Sequence, residues 1–182
     1  MKIKRLFASF VLAVFFITSC RSYDYVTYEY FYDFDKPILE TTYDKLPKNA
    51  ITFLSECYSK DSIHTINYAQ LYSYKIYAYY ISLTDNSVIM FDKTGNLLEI
   101  GNYKNGIPEC LLAKVPHIDT MRKAISDDRI LDNNNHWQNK TWKIKNIEIH
   151  SDGYLVKIGI GLTILNYYFD TNGNLKSTAI EL

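Results

Sequence analysis

Two nearly identical stretches, FDKTGNL (91–97) and FDTNGNL (169–175), occur in different halves of this 182-residue sequence. Each follows a strand-like run and precedes another. The Asp side chain at its second position can accept hydrogen bonds from the turn backbone, and the Gly supplies the positive φ that such a turn needs. The motif therefore predicts a β-hairpin turn that the chain uses twice.

A proline-led amphipathic segment precedes each turn motif. LPKNAITFL (46–54) and VPHIDTMRKAI (115–125) place Pro47 and Pro116 where a helix can begin, because its first turn does not need the missing N–H. Apolar residues then recur at helical spacing. They are Ala50, Phe53, Leu54 and Cys57 in the first segment, and Ile118, Met121 and Ile125 in the second.

Strand-like text fills the rest of both halves. Period-2 alternation is clearest in LYSYKIYAYYISL (71–83) and GYLVKIGIG (153–161). The order helix, strands, turn, strand occurs twice, with a polar insertion around 127–140 in the second copy. We therefore predict an α+β fold of two tandem repeats, 46–105 and 107–182, each a helix packed on an antiparallel β-meander sheet.

These elements resemble the PepSY-like, or beta-lactamase-inhibitor-like, family of exported bacterial proteins. The matching text is LPKNAITFL with FDKTGNL, and VPHIDTMRKAI with GYLVKI and FDTNGNL, so the resemblance covers about 46–182. It implies an envelope-exposed, two-repeat binding or inhibitor-like module without catalysis. The chain departs from the family pattern because it lacks the Gly-containing turn after the first helix and carries the Asn-rich insertion.

The N-terminus has the pattern of a bacterial export signal. Lys2, Lys4 and Arg5 precede an apolar run at 6–17, which is shorter than the roughly 20 residues that a membrane-spanning helix needs. ITSC (17–20) resembles a lipobox, which implies a signal peptide at 1–19 and lipid attachment to Cys20. The alternative is an ordinary secretory signal in which Cys20 is incidental.

Charge and the residues after the signal refine the predicted location. Arg21 rather than Asp follows Cys20, which favours the outer membrane over the inner membrane. Removing the three cations of the signal from the balanced 20 basic and 20 acidic residues leaves a net charge of −3, which gives no electrostatic footprint for nucleic acid. The Tyr- and acid-rich segment 20–45 is predicted to be a tether or an edge strand.

The other two cysteines allow two interpretations. We predict Cys57 within a helix and Cys110 in a connection. An exported protein meets an oxidising compartment, so a disulfide between them is chemically permitted. We slightly favour two buried free thiols that behave as small hydrophobic side chains. Neither cysteine has a partner at zinc-ligand spacing.

Catalytic and metal-binding motifs are missing from the sequence. It contains no HExxH, GxSxG, P-loop or GxGxxG, and its histidines (His64, His117, His136 and His150) are scattered. Asp170, Asn172, Asn174 and Glu181 fit an EF-hand register, but Leu175 occupies the position that requires Gly. We therefore predict no enzyme activity, no metal site and no cofactor.

The resulting functional hypothesis is a lipid-anchored envelope protein that binds a protein or peptide, including in an inhibitor-like manner. Trp137, an apolar residue in the polar insertion, is the candidate partner-binding residue, and a role in the core is its alternative. A small-ligand-binding protein and a purely structural envelope protein are the alternative functions. The partner would be an envelope protein or peptide, in addition to the membrane reached through Cys20.

Overall fold

A computed structural model describes residues 38–71, 76–128 and 141–181. Nine strands lie within these ranges, in keeping with a sequence rich in Tyr and β-branched residues. They are β1 (Leu39–Glu40), β2 (Ile63–Leu71), β3 (Ile76–Leu83), β4 (Val88–Asp92), β5 (Leu97–Gly101), β6 (Lys143–His150), β7 (Gly153–Ile160), β8 (Thr163–Phe169) and β9 (Leu175–Glu181).

The described helices are short. They are α1 (Lys48–Ser55), α2 (Glu109–Leu112) and α3 (Ile118–Ser126), with 3₁₀ turns at Tyr43–Lys45 and Lys60–Ser62. α1 begins directly after Pro47, as predicted, and α3 begins two residues after Pro116. The predicted inward face of α3 is confirmed, since Ile118, Met121 and Ile125 are buried.

The strands form one continuous antiparallel sheet in chain order from β1 to β9. The decisive pairing is between β5 and β6, where Glu99 lies opposite Glu148 and Ile100 opposite Ile147. The predicted α+β fold of two tandem helix-plus-meander repeats is therefore wrong. The meanders of the two halves join into a single sheet, the helices are short, and the fold is largely β.

The main core lies on the face of the sheet that the helices cover. Leu54, Leu111 and Met121 from the helices pack there with strand residues such as Ile81 and Ile147. The opposite face has a smaller apolar cluster to which no described helix contributes. It consists of Ala69, Ala78, Tyr80 and Met90. The alternation of side chains along each strand produces this division.

The two predicted hairpin turns are confirmed. Asp92 Oδ1 accepts the backbone N–H groups of Thr94 and Asn96, at 2.8 and 2.9 Å. Asp170 Oδ1 accepts those of Asn172 and Asn174, at 2.9 and 2.8 Å. The glycines that follow have positive φ angles of 88° at Gly95 and 80° at Gly173.

A disulfide joins Cys57 to Cys110, with the Cα atoms 5.8 Å apart. Our preference for two free thiols is therefore wrong, and so are both predicted positions. Cys57 lies in the turn after α1, and Cys110 lies within α2. Sequence could not settle the pairing, because it depends on how α1 and α2 approach each other across the helical layer. An ion pair between Lys114 and Glu56 bridges the same two segments.

Candidate functional site

Two of the predicted site residues, Cys20 and Trp137, lie outside the described residues, as does His136. Lipid attachment and partner binding through Trp137 therefore stay predictions. Of the segment 20–45, only its end is described, where the two-residue β1 pairs with β2 at one edge of the sheet. No helix within the described ranges is long and apolar enough to cross a membrane.

The described histidines do not converge on a common centre. His117 has a left-handed backbone (φ 60°) directly before α3, and His150 Nε2 lies 3.4 Å from Glu148 Oε2. His64 lies on β2. Across residues 38–71, 76–128 and 141–181, no group of three or more His, Cys, Asp or Glu side chains is placed to hold a metal ion.

A buried polar cluster occupies the sheet face opposite the helices, where β5 pairs with β6. Glu99 is only 3% exposed, and its Oε1 accepts a hydrogen bond from Asn146 Nδ2 at 2.5 Å. Glu148, its direct cross-strand neighbour, forms an ion pair with Lys157 Nζ at 3.2 Å. Asn146 is fully buried, and its Oδ1 has no hydrogen-bond partner among the described residues.

The surroundings of this cluster favour a protonated Glu99. Burial, and then the negative charge of Glu148, raise the pKa of Glu99 to about 8, although the hydrogen bond from Asn146 and the charge of Lys157 oppose the shift. Burial, followed by the charges of nearby carboxylates, also raises the pKa of Tyr103. The cluster can therefore hold a proton near neutral pH, but it lacks a nucleophile beside a base.

The last strand, β9, forms an open edge of the sheet. It pairs with β8 on one side, and no described strand pairs with its other side. Six of its seven residues are exposed, including the apolar Leu175 (39% exposed) and Ile180 (49%). An edge of this kind presents unpaired backbone N–H and C=O groups that an added strand can satisfy.

A cleft of about 490 Å³ opens between the segment before α2, helices α2 and α3, and the start of β6. Its apolar lining includes Ile107, Leu112 and Ile144, which are all buried. Arg122 and Lys143 bring positive charge to it, and Trp142 is half-buried against it. Its volume lies within the range of small-ligand sites.

The sequence alone did not predict the residues of this cleft or of the polar cluster. Their members come from segments far apart in the chain, for example Arg122 on α3 and Lys143 on β6. Among these residues, Trp142 is the one that a local sequence pattern points to, because it lies one position before the alternating apolar and polar residues of β6. Glu99 and Asn146 are polar residues in strands, and only the β5–β6 pairing brings them together.

Comparisons with known proteins reveal the fold and leave the family open. Neither a protein-family model nor a curated protein sequence matches the chain. Among solved structures, a periplasmic protein of unknown function from Bacteroides vulgatus is similar. Its TM-score is 0.57 at 20% identity, over 79% of this chain and 99% of that one.

Two further structures are similar at the same level. A candidate calcium-regulated periplasmic protein from Bacteroides thetaiotaomicron has a TM-score of 0.55 at 21% identity, over 78% of this chain and 96% of that one. A periplasmic protein of the DUF2874 family from Bacteroides vulgatus has a TM-score of 0.57 at 19% identity, with the same coverage. All three are described as periplasmic, which agrees with the predicted export signal.

Proposed function

We propose that the chain is an envelope protein that binds an extended segment of a partner protein or peptide, without catalysis, by adding it as a tenth strand beside β9. The open edge of β9 is the observation that carries this proposal. The PepSY-like relationship and the lipid anchor belong to the same proposal and are supported by the sequence motifs, while the periplasmic neighbours of the same fold support the envelope location.

The chemistry of the β9 edge favours an extended peptide as the occupant. Backbone groups on a strand edge pair with another strand and give affinity, while side chains on either face give selectivity. Leu175 and Ile180 leave apolar surface beside the edge, and Tyr168 on β8 adds a ring that is 39% exposed. Pro, which often blocks natural edges, is absent from β9, and the Nζ of its single Lys, Lys176, donates to the backbone carbonyl of Asp152 at 3.0 Å.

The absence of catalysis is the part of the proposal that rests on chemistry. The sequence has no catalytic motif. In the polar cluster, Glu99 is only 3% exposed, and the side chains of Glu148 and Lys157 are 18% and 20% exposed, so the cluster is not open to a substrate. A binding role needs no such group. Trp137 remains a second candidate contact for the partner.

Photocrosslinking tests the binding edge directly. A photo-crosslinking residue would replace Ala179 on β9 in the full-length protein, expressed in its own cells, and Leu162 would be replaced as a matched control. Leu162 is a fully exposed residue in the turn between β7 and β8 and is not part of the edge strand. We expect a discrete adduct from position 179 and none from position 162. Equal labelling from both positions would refute the edge as the binding surface.

A charge on the edge gives the complementary loss-of-function test. Lys side chains on edge strands disfavour strand addition, so the double variant Ala179→Lys, Ile180→Lys should lose the adduct, now read from a crosslinker at Ser177. Leu162→Lys should retain it. Thermal unfolding of the purified variants would verify that the sheet stays folded.

The proposed anchor is tested separately. Cys20 would carry the lipid and, with Arg21 after it, the mature protein would reside in the outer membrane. Radioactive palmitate should label the wild-type protein, and Cys20→Ala should abolish both labelling and signal cleavage. Cleaved, unlabelled Cys20→Ala protein would identify an ordinary secretory signal.

A further inference from the structure

The cleft between α2, α3 and the start of β6 combines an apolar floor with a positively charged rim. Ile107, Leu112 and Ile144 are 6%, 3% and 4% exposed and form the floor. Trp142 lines one side with a large, partly accessible aromatic surface. The apolar surface that a hydrocarbon or apolar side chain could cover in the cleft therefore belongs mainly to Trp142.

Arg122 supplies the main charge at the rim, and its existing partner is weakly held. Its guanidinium lies 2.6 Å from Glu109 Oε1, but the Glu109 side chain is 78% exposed. Ion pairs with such exposed groups stabilise a protein very little. The guanidinium has five N–H donors arranged for bidentate binding of a planar anion, so an incoming carboxylate can displace Glu109 at low cost.

Lys143 adds a second positive charge to the lining of the cleft. Its Nζ donates to the backbone carbonyl of Asn105 at 3.2 Å. Its stem packs against Gly106, where an added Cβ would lie 3.0 Å from Lys143 Cβ. Two cations and one exposed carboxylate therefore line the cleft, in a mature chain that is acidic as a whole.

We infer that this cleft binds a ligand with an apolar body and one terminal carboxylate, whose head pairs with Arg122 and Lys143 and whose body lies on Ile107, Leu112 and Trp142. A cationic head would meet two like charges, and a neutral head would leave Arg122 with Glu109. The site is independent of the β9 edge and goes beyond the binding function proposed there.

Two sources share this chemistry, a fatty acid and the C-terminus of a peptide that ends in an apolar residue. Titration calorimetry of the mature chain would use decanoate below its micellar concentration for the first. Acetyl-Leu-Leu with a free carboxylate would serve for the second. Decanol and acetyl-Leu-Leu-amide are the matched ligands without charge. Saturable binding of either acid, with its uncharged match at least tenfold weaker, supports the site and identifies the source.

Variants assign the binding to this cleft. Arg122→Gln should weaken the Kd of the acid about tenfold, since a hydrogen bond to a charged group contributes on that order. Glu109→Gln should tighten it about threefold by releasing Arg122 from its competitor. Lys123→Gln is the control, because Lys123 is the neighbouring cation on α3, is 76% exposed and pairs with Asp127 instead.

The gain in affinity with Glu109→Gln keeps the test informative, because a variant that merely unfolds cannot bind more tightly. Unfolding midpoints of all three variants would be measured alongside. The inference is overturned if neither acid binds, if the uncharged ligands bind equally well, or if Arg122→Gln and Lys123→Gln have the same affinity as the wild-type chain.

Discussion

The turns that begin at Asp92 and Asp170 share their backbone hydrogen bonds but lead into strands with opposite surroundings. After the first turn, β5 enters the middle of the sheet between β4 and β6, and Glu99 and Ile100 become buried. After the second turn, β9 pairs with β8, has no second partner among the described strands, and stays largely exposed. Equivalent local chemistry therefore builds a piece of core in one place and an open edge in the other.

The turns also contact different helices in a similar way. A Cβ added at Gly95 would lie 2.9 Å from Pro47 Cβ and 3.0 Å from the backbone nitrogen of Ala50, at the start of α1. A Cβ added at Gly173 would lie 2.7 Å from His117 Cβ, at the start of α3. Each glycine thus serves both the turn and the close approach of a helix.

The disulfide distinguishes the region of the first turn from that of the second. Its removal should have the largest effect on the free energy of unfolding. Cys57 and Cys110 are separated by 53 positions, and closing a loop of that length in the unfolded chain stabilises the folded protein by about 4 kcal/mol. Cys57→Ala, Cys110→Ala should lose most of that amount in denaturant unfolding. A reductant should destabilise the wild type and leave the double variant unchanged. Insensitivity of the wild type to reductant would argue against a stabilising bond.

Substitution of the turn glycines should have the next largest effect on the free energy of unfolding. Gly95→Ala should cost about 3 kcal/mol, because it combines a strained positive φ with a clash against α1. Gly161→Ala is the control, since Gly161 also has a positive φ (62°) but is exposed, and backbone strain alone costs about 1 kcal/mol. Both would be measured by chemical denaturation. Equal losses would mean that the approach of α1 contributes nothing.

The titration of Glu99 tests whether β5 lies in the interior of the sheet. Its pKa is about 8 in the folded protein and near 4.5 when unperturbed, so between these values the folded state holds a proton that the unfolded chain has released. The free energy of unfolding should therefore fall as pH rises from about 4.5 to 8. Glu99→Gln should flatten this slope, which amounts to roughly 1.4 kcal/mol for each pH unit between the two pKa values, and should stabilise the protein at pH 8.5.

The control for this pH dependence is Glu109→Gln, which removes an exposed carboxylate and should leave the slope intact. In Glu99→Gln, the amide of Asn146 can rotate to offer its oxygen to the new NH₂ group, so the buried hydrogen bond can be kept. A slope that persists in Glu99→Gln would assign the titration to another group.

The smallest expected difference lies between the turn aspartates. Thr94 Oγ1 donates to Asp92 Oδ1 at 2.7 Å, an additional bond that Asp170 lacks among the described contacts. Partial burial raises the pKa of Asp92, but hydrogen bonds from Thr94 and Asn96 outweigh this effect and hold the pKa below its usual value. Asp92→Ala should therefore cost about 1 kcal/mol at pH 7, and Asp170→Ala should cost less.

Low pH provides a second test of the contribution of Asp92 to stability. Because the folded-state pKa of Asp92 is depressed, its contribution is present above the ordinary value of 3.8 and is lost as pH falls through the folded-state value. The difference between wild type and Asp92→Ala should therefore shrink below about pH 3.8, as measured by urea unfolding. A difference that is constant down to pH 2 would contradict the hydrogen-bonded carboxylate.

The parts of the fold that sequence predicted are those determined by neighbouring residues. The turns at Asp92 and Asp170 depend on hydrogen bonds within five positions, and the buried stripe Ile118, Met121 and Ile125 depends on helical spacing. The fold class depends on whether Ile100 on β5 pairs with Ile147 on β6, which lies beyond the insertion in the sequence. Periodicity shows which face of a strand is apolar but not which strand lies beside it.

The candidate sites were less predictable for the same reason. The cleft draws Arg122, Trp142 and Lys143 from separate elements, and the pairing of Cys57 with Cys110 depends on the meeting of α1 and α2. The β9 edge is exposed because β9 is the last of the described strands in the sheet. Each depends on contacts between distant segments of a single sheet and its helices, an arrangement that the prediction of two tandem repeats did not contain.

The chain-order arrangement of the sheet also bears on how the protein can be assembled during export. Each strand from β2 onward pairs with the strand synthesised just before it. A chain that emerges N-terminus first therefore always presents a new strand to a neighbour that has already left the translocation channel. None of the nine described strands has to wait for a distant later segment, and the edge that receives each new strand moves along the chain until it ends at β9.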